Sequence, residues 1–306
     1  MTFQLFFTQV LNGFQLGVLL FLMAAGLTLV FGIMNFINLA HGSLYMMGAY
    51  FAALTYGVTD SFALSVLAGV SGLFVLGVVL DRALLSTLHR RDHLDQVLAT
   101  FGLILFANEA VRLFWGNASL YMNVPSWLSS SIEWMGFSYP AYRLAIIVAG
   151  LAVALGLHLL IDRTRLGMLI RAGASNREMV TALGVNIGWL TTLIFAIGAA
   201  LAGFAGAMVG PIVSIQSGMG ESTLIMTLVV IVIGGIGSIR GAFFGALIVG
   251  IVDTLGRGVL PGILFKFFSP EVAGAAGPAL ASVSVYLLMA AVLALKPEGL
   301  FPERHQ

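Results

Sequence analysis

Cysteine is absent from this 306-residue chain, which excludes disulfides, thiolate metal ligation and thiol catalysis. Charge is nearly as scarce. Asp, Glu, Lys and Arg make up 9% of the residues, against about 25% in an ordinary soluble domain. Before Asp60 there is no acidic residue, no Lys and no Arg, and His41 is the one group that titrates near neutrality. A water-facing surface cannot be built from such a stretch, so the opening fifth alone commits the chain to a membrane.

What the chain does have agrees. It is 59% hydrophobic with a mean hydropathy of +1.04. At about 20 residues per helical span, its length allows roughly eight to ten crossings. A net charge of +1 and a pI near 8.1 point neither to nucleic acid nor to an acidic partner. The N-terminus lacks the basic region of a cleaved signal and its apolar stretch is too long for one, so residues 1–33 read as a first span that is kept.

Spanning-length apolar segments lie at 9–32, 38–58, 62–81, 94–115, 141–161, 189–213, 221–237, 241–260 and 279–295. The expected fold is an all-α polytopic bundle of eight to nine transmembrane helices forming one permease-type domain over 1–306. Segments 38–58 and 221–237 are Gly-interrupted or short, and either reads equally as a broken or re-entrant element. Lys and Arg set the orientation. With the N-terminus outside and the C-terminus in the cytoplasm, ten of the fourteen fall on the cytoplasmic side: Arg82, Arg90, Arg91, Arg163, Arg165, Arg171, Arg177, Arg240, Lys296 and Arg304. Trp115 and Trp189 then sit at span ends, and Trp127 and Trp134 in an external loop at 116–140, as interfacial aromatics should.

Small residues recur every fourth position at Gly198, Ala202, Gly206 and Gly210, and again at Gly237, Gly241 and Gly245. Such ridges let helices approach closely in lipid, either as static packing within the chain or as a subunit seam. No enzyme constellation is present. The Gly-rich run GGIGSIRG (234–241) lacks the Lys-Ser/Thr of a nucleotide loop and lies between spans. Ionisable residues inside spans are the better lead, because charge in hydrocarbon is costly. Glu109 and Arg112, three apart, and Asp253 and Arg257, four apart, each share a helix face. They either line a path near the outer surface or anchor helix ends. Asn35, Asn38 and His41 make a polar cluster between the first two spans, as a gate or simply a turn. No lone mid-membrane carboxylate of the ion-coupled kind is visible.

The segment 163–188, RTRLGMLIRAGASNREMVTALGVNIG, holds a short helix with explicit punctuation. Ser175 and Glu178 have capping-box spacing, with Asn176 as the alternative cap, and Gly184 stops the helix. Met179, Val180 and Leu183 form one apolar face flanked by Arg171 and Arg177. Two turns are too short to stand alone, so the helix must dock, on a partner subunit or beneath its own bundle.

Four stretches now carry a resemblance: GLTLVFGIMNFINLAHGSLYMMGAY (26–50), the segment just described, IVIGGIGSIRGAFFGALIVG (231–250) and LKPEGLF (295–301). Together they resemble the permeases of branched-chain amino acid ABC importers. The run Asn38-Leu39-Ala40-His41-Gly42 followed by Gly48-Ala49-Tyr50 is similar to the LivH-type subunit rather than its LivM-type companion. The resemblance implies a bacterial inner-membrane protein paired with a LivM-type permease, two cytoplasmic ATPases and a periplasmic binding protein that delivers Leu, Ile or Val. It implies that Arg171, Ser175–Val180, Leu183 and Gly184 belong to an ATPase-coupling segment. It also implies that ATP and Mg are used by the partner ATPases, this chain holding no cofactor. Related importers carry urea, amides, other amino acids or aromatic acids. The competing class is a stand-alone secondary transporter or channel.

Overall fold

The computed structural model describes residues 3–34, 38–88, 91–134 and 137–301. Its helices are α1 (Phe3–Met34), α2 (His41–Thr59), α3 (Phe62–Leu80), α4 (His93–Trp115), α5 (Ala141–Arg163), α6 (Arg165–Ser175), α7 (Arg177–Ala182), α8 (Ile187–Val209), α9 (Met219–Gly234), α10 (Ile239–Leu264) and α11 (Pro270–Leu295). A π-helical turn (Asp81–Leu85) and one further turn (Ser86–Leu88) prolong α3. Among the described residues, seven helices are long and apolar enough to cross a membrane: α1, prolonged α3, α4, α5, α8, α10 and α11. This is a multi-pass membrane protein. The two segments singled out as doubtful form the exceptions. At 1.5 Å per residue, the 16 residues of α9 extend only about 24 Å, against about 30 Å of hydrocarbon.

The all-helical expectation missed one element. A hairpin of β1 (Ser131–Trp134) and β2 (Phe137–Pro140) pairs Ser131 with Pro140 and Ile132 with Tyr139. The period-2 alternation of S-I-E-W and F-S-Y-P is its local cause.

The chain divides into two compact units, with divisions inside α1, α5 and α9 and one after Pro125, between α4 and the hairpin. The first comprises 1–24, 126–151 and 226–303. Here α1 meets α10 through glycine: a Cβ on Gly13 would come within 2.7 Å of Ile251 Cα, and one on Gly17 within 2.9 Å of the Ala246 carbonyl. Helices α10 and α11 pack together with Gly256 against Ala281. The terminal LKPEGLF motif folds back, Leu300 N donating to the Ile233 carbonyl and Phe301 N to that of Gly234, both at 2.9 Å.

The second unit comprises 25–125 and 152–225. Its centre is α8, packed on α2 and α3. Gly48 faces Gly203, and a Cβ at Gly206 would run into the Tyr45 carbonyl. A core cluster joins Met46, Ala49 and Tyr50 of α2, Val111 of α4 and Ala207 of α8 with Met122 and Ile215 from the connecting segments. Helix α2 carries His41, Ser43, Tyr45 and Tyr50, all buried, which explains its lower apolarity: protein surrounds these groups. Asp60, at φ 51°, ends α2, and the Ser61 hydroxyl caps α3 by accepting from Leu64 N.

Candidate functional site

The candidate coupling segment is built by a run of caps. Thr164 Oγ1 accepts from Gly167 N at 3.1 Å and opens α6. Gly167 has no room for a side chain, because a Cβ would collide with the Ile161 carbonyl. Arg171 turns back to the same place, donating to that carbonyl and lying 4.0 Å from Asp162. It braces α6 on the end of α5.

Asn176 then serves two helices. In an extended conformation, it ends α6 by donating from its N–H to the Ala172 carbonyl, and its Oδ1 accepts from Met179 N at 2.9 Å to open α7. The expected Ser175–Glu178 box is therefore replaced by the alternative cap. Ser175 is the last residue of α6, and Glu178 lies exposed in the first turn of α7. The stop at Gly184 is a Schellman motif. Gly184 N donates to the Thr181 carbonyl at 3.0 Å, Val185 N to that of Val180 at 3.3 Å, and Gly184 sits at φ +86°.

The expected apolar face divides in two. Val180 is 5% exposed, while Met179 and Leu183 are 62% and 76% exposed. Positions 179 and 183 are one turn apart and share a face, whereas 180 lies about 100° round the helix. Val180 thus tethers α7 to its own unit, and Met179 with Leu183 remains an exposed apolar pair on a short loop helix. Arg177 is exposed beside them. Asn186 Oδ1 accepts from Trp189 N at 3.0 Å and opens α8.

Next to this segment is a junction that the sequence did not reveal. The π-helical turn holds Asp81, fully buried, whose Oδ2 accepts from Thr192 Oγ1 at 2.6 Å. Arg82 Nε donates to the same Thr192 oxygen at 3.0 Å, and its guanidinium lies 5.1 Å above the Trp189 ring. An open hollow of about 900 Å³ lies here, with Arg82, Ser86, Arg177, Thr181, Asn186 and Trp189 in its wall. An acidic-basic pair at the end of an apolar span was a visible signal. Its partner Thr192, 111 residues from Asp81, had none.

The other candidates are scattered. Asn35 lies outside the described residues. Asn38 Oδ1 accepts from Ala40 N at 3.0 Å, and His41 is fully buried against Gly26, where a Cβ would come within 3.0 Å of its ring. The Asn38 side chain therefore shapes the turn into α2. Glu109 and Arg112 pair at 2.7 Å, both well exposed. Asp253 is buried and accepts from Arg257 Nε at 2.8 Å, and Arg257 also reaches Ser282 at 3.0 Å, tying α10 to α11. A further polar group, missed by the sequence reading, joins Asn12 Oδ1 to Arg143 Nη1 at 2.6 Å and to the Tyr139 hydroxyl at 3.1 Å. Burial pushes the Tyr139 phenol up, and the Arg143 cation partly opposes this.

The glycine ridges pack within the chain. Gly198 lies against Gly26, Gly206 against Tyr45 and Gly210 against Met122, with Ala202 buried in α8, and Gly241 lies against Gly234 and Gly245 against Val230. Gly237 departs from its expected role: it sits in the turn between α9 and α10 at φ +87°.

The sequence profile described as branched-chain amino acid transport system / permease component matches residues 9–293. The high-affinity branched-chain amino acid transport system permease protein BraD of Pseudomonas aeruginosa is 33% identical over 268 residues, covering 82% of this chain and 86% of BraD. The high-affinity permease protein LivH of Escherichia coli is 32% identical over 279 residues, covering 84% and 88%. A probable LivH of Methanocaldococcus jannaschii is 28% identical over 251 residues, covering 78% and 76%. No solved structure matches the chain.

Proposed function

We propose that this chain, which belongs to the family of permease components of branched-chain amino acid transport systems, is the LivH-type membrane subunit of an ATP-binding cassette importer for Leu, Ile and Val. It works in the bacterial inner membrane, N-terminus outside and C-terminus inside, beside a LivM-type permease. Two cytoplasmic ATPases dock beneath the pair, and a periplasmic binding protein supplies the solute. ATP and Mg are used on the ATPases, so this chain contributes the path and the coupling.

The observation that carries the reading is α7. It is a six-residue helix, capped by Asn176 and stopped by Gly184, that holds Met179 and Leu183 out from its own unit. Exposed apolar residues at a fixed position outside the spans favour a protein partner. Val180 anchors the helix from behind, so a push on the Met179–Leu183 face reaches α8 through Val185, Asn186 and Ile187. Residues Arg171, Ser175 and Asn176 set the angle at which α7 is held, and Arg177 and Glu178 supply charge at its rim.

Leu183→Asp tests this. The variant should insert and pair with its companion permease yet fail to retain the ATPase on co-purification. Wild-type retention of the ATPase, with wild-type uptake, would remove α7 from the coupling role.

A further inference from the structure

The hollow beside α7 carries more than the coupling role uses. Two guanidinium groups, Arg82 and Arg177, line it, and no acidic side chain is in its wall among the described residues. Among the described residues, Arg82 is held at one nitrogen: Nε donates to Thr192, and the guanidinium carbon lies 5.1 Å from the centre of the Trp189 ring. Its terminal nitrogens donate to no partner among the described residues, which leaves up to four N–H groups of the guanidinium without an acceptor there. Arg177 has no ion pair or side-chain hydrogen bond among the described residues. The first turn of α8 forms part of the wall and adds the positive end of its dipole.

The height of the site selects among anions. Arg82 is 20 residues beyond Phe62, where prolonged α3 begins, hence about 30 Å along the helix. That equals the thickness of the hydrocarbon layer. Trp189 occupies the first turn of α8, another spanning helix. The hollow therefore lies at headgroup depth, where tryptophan and arginine are at home. Apolar Trp189, 52% exposed, stands ready for acyl chains.

We propose that this hollow binds the phosphate of an anionic lipid headgroup, with Arg82 and Arg177 as its ligands and Trp189 as its floor. A carboxylate from a docked protein would meet the same cations, but it would have to descend to the level of the span ends to do so. Because Arg177 opens α7, an occupied hollow couples the leaflet's charge to the posture of the helix. The inference rests on the cytoplasmic placement proposed above only for which leaflet supplies the lipid.

Native mass spectrometry of the purified full chain, titrated with phosphatidylglycerol or phosphatidylcholine, tests the proposal. Phosphatidylglycerol should be retained preferentially. Arg82→Gln and Arg177→Gln should each weaken its retention about fivefold, with phosphatidylcholine unaffected. Arg177→Gln alters an exposed side chain and keeps the measurement interpretable if Arg82→Gln perturbs folding. Equal retention of the two lipids, or wild-type retention by the Arg177→Gln chain, would overturn the proposal. Displacement of the lipid by millimolar glycerol phosphate would overturn it in favour of a soluble phosphate. Unchanged lipid retention with lost ATPase capture would overturn it in favour of a partner's carboxylate. Failure of import with intact lipid selectivity would count against the proposed function alone.

Discussion

Gly184 is the one residue of the candidate coupling segment 163–188 with a positive φ. Its φ of +86° lies in the left-handed region, which costs a residue with a side chain about 1–2 kcal/mol. A β-branched side chain is worse placed there than alanine. Gly184→Val should therefore fray the end of α7 and release Val185 from Val180, faster amide exchange at Leu183–Val185 being the readout. Unchanged protection would mean that the Schellman bonds do not set the stop. Asn176→Ala removes the Oδ1 acceptor for Met179 N, a loss of about 0.5–2 kcal/mol locally. Asn176→Asp keeps an acceptor and should restore the exchange pattern, whereas Ser175→Ala should change it little. The reverse ranking would reinstate the box at Ser175. Caps one residue apart explain why the sequence left both open: the spacing of Ser175 and Glu178 satisfies a capping box, but the extended backbone falls at Asn176.

At the level of elements, what could be read in advance divides by range. The seven longest apolar helices follow from composition along the chain, and hydropathy alone located them. The interior position of α2 does not, because it depends on Gly48 meeting Gly203 and Gly206 meeting Tyr45 across more than 150 residues. Local pattern also misplaced Gly237. The four-residue spacing continues through a turn, where positive φ and not close packing is the requirement. The polar pairs Glu109–Arg112 and Asp253–Arg257 were legible because helix spacing fixes them, while Asp81–Thr192 and Asn12–Arg143 join distant elements and left no local signal. The α2–α8 crossing gives a clear expectation. Gly206→Val would force the helices apart at the Tyr45 carbonyl, an overpacking cost of about 1–3 kcal/mol or more. The variant should lose thermal stability in detergent, and Ala200→Val, at a half-exposed position of the same helix, should lose less. Equal stability for wild type and Gly206→Val would mean that the crossing is looser than its geometry.

For the whole molecule, the absence of cysteine makes orientation directly measurable. Single cysteines at Ser86, Ser130 and Ser175 should divide under an impermeant thiol reagent applied to intact cells. Residue 130 should label from outside, and 86 and 175 only after lysis. Labelling of 130 only after lysis would invert the proposed topology. The proposed function makes transport by this permease depend on energy from another chain. Uptake of leucine by proteoliposomes tests that most directly, comparing this chain alone with the full set of companion permease, ATPases and binding protein. Concentrative uptake is expected only for the full set supplied with ATP and Mg, and none for the chain alone under any imposed ion gradient. Concentrative, gradient-driven uptake by the chain alone would contradict it.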